Sequence, residues 1–423
     1  MLSVLKKADR KELIICLAFI LLTICLCLVP TGFEKQLYLN AEGARAKVIS
    51  VDNSGVYNTG LIKQGDQRCV IRIESGSHKG KEVTAMNLYT GKFEFDKVFA
   101  PGDSAWVLLE QNGQDEIIFA NMIDHYRIGT EILLLGVFAL CLVLFSGFTG
   151  LRTLLSFAFA LLSIWKLLIP AMLRGENPLI VALVIGNAIA VATLLLVAGM
   201  TKKAYAAILG TMICSLATCL LAVVFGGLFK IDGVVMQWSE SLFYAGFERL
   251  DLTGVFLAGI YLACSGAIID LSIDISAALD ELKITQPDIG FGAMLKSGLR
   301  IGRSIVGSQT TTLLLAYMGS YISVMMVYMA QGTPFLNILN SKSISSEILH
   351  TLVGCIGLVF VCPLTSVICA FMYQEQPDAE AGSVVKGGVI HMFRQMRREN
   401  LVGMVTMILS VVLIIVYKLT VGS

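Results

Sequence analysis

Apolar and polar residues alternate on two different scales along this chain. Apolar runs of roughly 17–25 residues, long enough to span a bilayer as helices, lie at about 12–29, 129–147, 151–171, 178–200, 204–228, 253–272, 305–329, 348–373 and 401–419. Between the first and second runs the period shortens. Segments 45–51, 67–73, 81–85, 105–109 and 117–119 alternate polar and β-prone residues, with turn signals at 52–55, 75–77 and 101–103. The pattern predicts an α-helical integral membrane protein of about nine transmembrane helices, with a small all-β domain between helices 1 and 2. The short strands fit an OB-like barrel, and a short sandwich is the alternative. The predicted organisation is a signal-anchor helix over 1–39, a β domain over 40–126 and an eight-helix membrane domain over 127–423. Within the last, 273–304 and 374–400 are expected to be cytoplasmic segments, the first amphipathic or loop-like.

Composition agrees with the lipid bilayer as the first partner. The chain is 56% hydrophobic and 15% charged, with a mean hydropathy of +0.77, well outside the globular range. A formal net charge of +1 gives no electrostatic reason to expect nucleic acid. The distribution of charge says more. Lys6, Lys7, Arg10 and Lys11 precede the first run, and no small-x-small cleavage site follows it, so an uncleaved anchor is expected. Arg152, then Lys202 and Lys203, then Lys283, Lys296, Arg300 and Arg303, then Lys386, Arg394, Arg397 and Arg398 fall in alternate loops. By the positive-inside rule those loops and the N-terminus are cytoplasmic, and 40–126 and the C-terminus lie outside. In outer loop 230–252, Val235, Trp238, Leu242 and Ala245 beside Glu240 and Glu248 predict an amphipathic surface helix.

Ten of the eleven cysteines lie in apolar runs and only Cys69 in a polar segment, so no disulfide framework is expected. His78, His125, His350 and His391 are scattered, which offers no metal site, and nothing calls for a cofactor. A nucleophile elbow, an H-E-x-x-H pair and a phosphate loop are all missing from the sequence, so no enzyme is expected.

The candidate chemistry concentrates near residue 270. Asp270 and Asp274 share one helical face with Gly259, Ala263, Gly266 and Ala267, a stripe of small residues that admits a neighbouring helix. Counting from Leu252, Asp270 falls about 27 Å along its helix, near the cytoplasmic boundary. Two readings follow: an ion pair with Arg300 or Arg303, or a cation or proton site in a water-reachable cavity. Arg300, Ser304, Ser308 and Thr311 line one face of the next helix, either bonding to backbone and neighbouring helices or lining a hydrophilic path. Gly298 and Gly302 predict close packing, Asn187 a helix-to-helix hydrogen bond, Lys166 snorkelling, and Pro363 a kink.

The stretch Gly266-Ala-Ile-Ile-Asp270 with Ile275-Ser-Ala-Ala-Leu-Asp-Glu-Leu282, then Ser297-Gly-Leu-Arg-Ile-Gly-Arg303 and Thr312-Leu-Leu-Leu-Ala-Tyr-Met-Gly-Ser320, resembles the YibE/F family of multispan bacterial membrane proteins. Ser77-His-Lys-Gly80, Pro101-Gly-Asp103 and Asn177-Pro178 extend the likeness over most of the chain. The resemblance implies a multi-pass protein of the bacterial cell membrane. Ser304 and Thr311 stand where that family usually carries an acid and an asparagine. The expected function is transport of a small solute or ion. The alternative is a non-transporting assembly or sensor component that binds a protein partner through residues 40–126.

Overall fold

The computed structural model describes residues 10–33, 40–112, 114 and 116–373. The expected span at 401–419, the loop 374–400 and the basic residues Lys6 and Lys7 lie outside the described residues. The chain divides into two compact units, Glu34–Phe145 and Met1–Phe33 with Ser146–Ser423.

In the first unit, five strands form a closed barrel: β1 (Ala41–Thr59), β2 (Ile62–Ile73), β3 (Glu82–Thr90), β4 (Ser104–Gln111) and β5 (Ile117–His125). Their order around the barrel is β1-β2-β3-β5-β4. All neighbouring pairs are antiparallel except β3 with β5, which meet in parallel at Met86 and Asn121. Closure replaces the sandwich alternative. Alternation along each strand sends Ala44, Ala46, Val48, Cys69, Ile71, Ile73, Ala85, Val107, Leu109 and Met122 inward to one core. The expected turn at 52–55 is instead a bulge inside β1, where the register with β2 shifts between Asp52 and Gly55. Asp52 Oδ1 accepts from Ser54 N at 2.9 Å, the local bond that made the sequence read as a turn. The chain actually reverses at Gly60, whose φ of 67° suits glycine.

The loop between β2 and β3 is tied to β1 through Glu42. Its carboxylate accepts from Ser77 N at 2.9 Å, from Gln111 Nε2 at 3.1 Å and from Ser77 Oγ. The two Ser77 donors, hydroxyl first, hold the Glu42 carboxyl below its ordinary value of 4.5. A carboxyl depressed on folding stabilises the fold above its unfolded value, and that contribution is lost as pH falls through the folded one. Thermal melts from roughly pH 6 down to pH 3 are therefore expected to show Glu42→Gln converging on wild type only at the acid end. Parallel melting curves at every pH would show that this carboxylate does not hold the loop.

The second unit is helical: α1 (Arg10–Leu28), α2 (Ile128–Ser163), a π turn (Ile164–Leu168), α3 (Ile169–Leu173), α4 (Pro178–Ala198), α5 (Lys202–Phe229), α6 (Ser239–Tyr244), α7 (Leu252–Thr285), α8 (Phe291–Ala330), α9 (Phe335–Asn340) and α10 (Lys342–Met372). The unit boundary crosses α2, whose helical geometry breaks at Gly147 (φ 58°, ψ −126°). Six helical stretches are long and apolar enough to cross a membrane, with Ile128–Leu173 taken as one, and Leu13–Leu28 is a shorter apolar helix. Local sequence sets several of the ends. Asn177 Oδ1 caps α4 by accepting from Leu179 N and Ile180 N, with Pro178 as the first helical residue. Thr201, Asp251 and Ser341 cap α5, α7 and α10 in the same manner.

Two expectations about loops are corrected. Segment 273–304 is not a separate element: α7 continues to Thr285 and α8 starts at Phe291. Falling hydropathy marks the edge of an apolar stretch, not the end of a helix. Segment 230–252, expected to carry an amphipathic surface helix, holds a 3-10 turn at Gly233–Val235 and the six-residue α6. Left-handed backbone at Lys230 and Trp238, and Gly246 at φ 92°, prevent one long amphipathic helix.

α10 is the central helix, packed against α5, α7 and α8. It runs through Pro363 as one helical element. Glycines set the close approaches. A Cβ on Gly357 would stand 2.6 Å from Thr218 Oγ1, and one on Gly186 would stand 2.6 Å from Tyr261 Oη. Gly298 and Gly302 do pack closely, α8 against α10, with Ser366 and Cys362 seated over them. The result is a small-residue interface of the kind membrane helices use.

Candidate functional site

Asp270 and Asp274 project from α7 on an exposed face, together with Gly259, Ala263 and Gly266, while Ala267 is half-buried. A Cβ added at Gly259 or Gly266 would meet nothing within 4 Å, so no described element occupies the stripe. The reason is helical phase. Cys264, Ile268, Leu271, Ile275 and Leu279 point into the α5–α8–α10 core, and Ile269 and Ile273 face Ala190, Leu194 and Ala207 of α4 and α5. The remaining third of the helix circumference is left open and carries both carboxylates.

Neither aspartate forms a salt bridge or hydrogen bond among the described residues, so the expected ion pair with Arg300 or Arg303 is not made there. Arg300, Arg303, Ser304, Ser308 and Thr311 are all exposed, on the side of α8 opposite Gly298, Gly302 and Leu313. The hydroxyls bond to their own helix: Ser308 Oγ donates to Ile305 O at 2.9 Å and Thr311 Oγ1 to Gly307 O at 3.2 Å. The aspartates and the hydroxyl row thus lie on two open faces of adjacent helices, without a direct bond between them. Asn187 does bridge helices, donating to Leu183 O at 2.8 Å and accepting from Ser215 Oγ at 2.9 Å.

A second polar group lies inside the bundle and was not singled out from the sequence. Glu347, more than nine-tenths buried, shares one face of α10 with His350 and Thr351. The His350 ring stacks on Tyr317 of α8 at 4.3 Å between centroids. A signal was available: an acid, an imidazole and a hydroxyl at i, i+3 and i+4. Glu347 sits at the edge of an apolar run, where a single charge ordinarily marks the interface.

In the barrel, Ser77, His78 and Glu42 assemble the residue types of a hydrolytic triad without its geometry. Ser77 Oγ lies between the other two, donating to Glu42 and standing 2.8 Å from His78 Nδ1. A triad needs the imidazole between serine and carboxylate, free to take the serine proton. Here the serine hydroxyl is already engaged as a donor to the carboxylate.

The family model described as YibE/F-like protein matches residues 134–375. The match takes in the Asp270 face, the hydroxyl row and Glu347, and it excludes the barrel. No curated protein and no solved structure matches the chain. The apolar helices make it a multi-pass membrane protein. With more than half of its length matched, the chain belongs to the YibE/F-like family.

Proposed function

We propose that the protein is a transporter or permease-like protein for a small solute or ion in the bacterial cell membrane, acting without a cofactor and without enzymatic chemistry. The observation that carries this reading is the Asp270–Asp274 face, two carboxylates unpaired among the described residues on a glycine- and alanine-lined surface. Carboxylates placed in a spanning helix are costly, and one without a partner marks a candidate ion or substrate path. Nine spans with a cytoplasmic N-terminus are the proposed topology. The Gly147 break supports it, because it divides a helix of about 69 Å, more than twice a bilayer core, into two span-length pieces. The barrel is proposed to be OB-like on its strand order and its parallel β3–β5 closure.

Proteoliposomes loaded with a pH-sensitive dye test the reading. Under an imposed potential, wild type is expected to carry protons or alkali cations faster than empty vesicles, and Asp270→Asn is expected to abolish that difference. A folded Asp270→Asn protein with wild-type flux removes the carboxylate from the pathway.

The partner-binding reading has one observation in its favour. Tyr57 and Leu61 on the β1–β2 hairpin and Phe93 after β3 expose large apolar surface, and Ile62 packs beside Gly91 to bring the two segments together. Loss of a co-purifying protein in a Leu61→Ser, Phe93→Ser variant, with flux absent in wild type, would favour it.

A further inference from the structure

The Glu347 group has a role that neither the family nor the transport reading assigns. Glu347 forms no hydrogen bond or ion pair among the described residues, although little of it reaches solvent. Lys342, one turn earlier on the same helix, is engaged with Asp232. Around Glu347 the unsatisfied atoms accumulate. His350 Nε2, Tyr317 Oη and Thr351 Oγ1 are all buried and without a hydrogen-bond partner among the described residues. The titratable groups facing this cluster are Tyr317 from α8, Cys264 from α7 and Cys355 from α10 itself, and none supplies a positive charge. Gly354, one turn further along α10, leaves the space into which Leu313, Cys264 and Tyr317 close.

An unpaired carboxylate in such surroundings is stable only when something neutralises it. The four polar atoms are matched to that need. A carboxylic acid offers one donor and one acceptor, a neutral imidazole offers an acceptor at its bare nitrogen, and a phenol offers a donor. With a proton present, the acid can donate to the bare imidazole nitrogen and accept from a hydroxyl, directly or through a bridging water. Without it, the carboxylate and the bare imidazole nitrogen are both acceptors, and no positive charge offsets the carboxylate.

We propose that Glu347 and His350 form a proton-binding site inside the α7–α8–α10 cluster, with Tyr317 positioning the imidazole. The proton comes from water or buffer and makes an O–H or N–H bond. It leaves by the reverse step, so nothing is oxidised or reduced.

The test is infrared spectroscopy of the full chain in lipid nanodiscs as the pH is stepped from roughly 8 to 5. Wild type is expected to show a carboxylic-acid band that is missing in Glu347→Gln. His350→Gln and Tyr317→Phe are expected to retain that band with its titration midpoint moved by about one pH unit. If Glu347→Gln fails to fold, Glu347→Asp replaces it, and the band should shift in frequency. Superimposable wild-type and Glu347 variant spectra overturn the proposal, as does a midpoint indifferent to His350→Gln. The band is expected to persist in Asp270→Asn, so this result and the flux result succeed or fail separately.

Discussion

Gly302→Leu is expected to detach α8 from α10 and to cost the membrane domain about 3 kcal/mol or more. A Cβ at residue 302 would overlap Cys362 Sγ and stand 2.8 Å from Cys362 Cβ. Four residues earlier, a Cβ at Gly298 would stand 2.8 Å from Ser366 Cβ and 3.0 Å from Leu279 Cδ1. Neither neighbour can yield easily, because Ser366 is fully buried and Cys362 nearly so. Overpacking a tight contact costs about 1–3 kcal/mol where the structure can relax, and a whole leucine side chain against another helix lies at or beyond the upper end. Gly307→Leu is the control, since its Cβ would meet nothing within 4 Å on the outward side of the same helix. Melting in detergent, followed by loss of the monodisperse species, should separate the two variants clearly. Equal melting of both would mean that close approach is not what holds α8.

Gln67→Met is expected to be the most damaging single change in the barrel that preserves volume. Gln67 is buried and spans three segments of chain. Its Nε2 donates to Asn53 Oδ1 at 2.9 Å and to Phe99 O at 3.1 Å, and its Oε1 accepts from Asn87 Nδ2 at 2.9 Å. Asn87 Nδ2 also reaches Lys97 O at 2.6 Å. These two amides fasten the β3–β4 loop across the barrel end, beside the buried ring of Phe99. Methionine fills the space but removes the donor to Phe99 O and the acceptor shared by Phe99 N and Asn87 Nδ2, which keeps only Lys97 O, at about 1–3 kcal/mol for each buried group left unpaired. A net loss of about 3 kcal/mol corresponds to roughly a hundredfold in the opening equilibrium. Cys69 reports it directly. Its thiol is completely buried, and burial pushes its pKa up to about 11, so alkylation requires the barrel to open. Peptide-resolved alkylation of Cys69 in the full chain should run about 100-fold faster in Gln67→Met. An unchanged rate would place the barrel's stability elsewhere.

The amide pair was invisible in the sequence, where Gln67 begins the predicted segment 67–73 and Asn87 falls beyond the predicted segment 81–85. Much else in the barrel was legible. All five strands were located from alternation, because a half-buried strand must alternate. Their ends were not, since bulges such as Asp52–Gly55 and turns such as Gly60 draw on the same residue types. In the helical unit, the close packing of the Gly298–Gly302 pair was legible, while the capping role of Asn177 emerges from the structure. The environment of Asp270 did not. Spacing put Asp270 and Gly266 on one face, but it said nothing about which neighbour covers that face. Arg300 was close in sequence and in expected depth, yet the rotation of α8 that seats Gly298 and Gly302 against α10 turns Arg300 outward. Glu347 was overlooked for the opposite reason. Its spacing with His350 and Thr351 was legible, but one acid at the end of an apolar run reads as an interface charge until Tyr317 arrives from another helix.

The glycine contacts of the helical unit and the aliphatic core of the barrel imply two different temperature laws within one chain. Separating α8 from α10 inside a bilayer transfers small side chains from protein to hydrocarbon, with no apolar surface newly exposed to water. The heat-capacity increment that bends a stability curve arises from such hydration. Cohesion between these helices should therefore vary almost linearly with temperature, without weakening in the cold. Opening the barrel exposes Ile71, Val107 and Leu109 to water, so its stability should pass through a maximum and decline on both sides. On cooling, the barrel is the part of the molecule that loosens first.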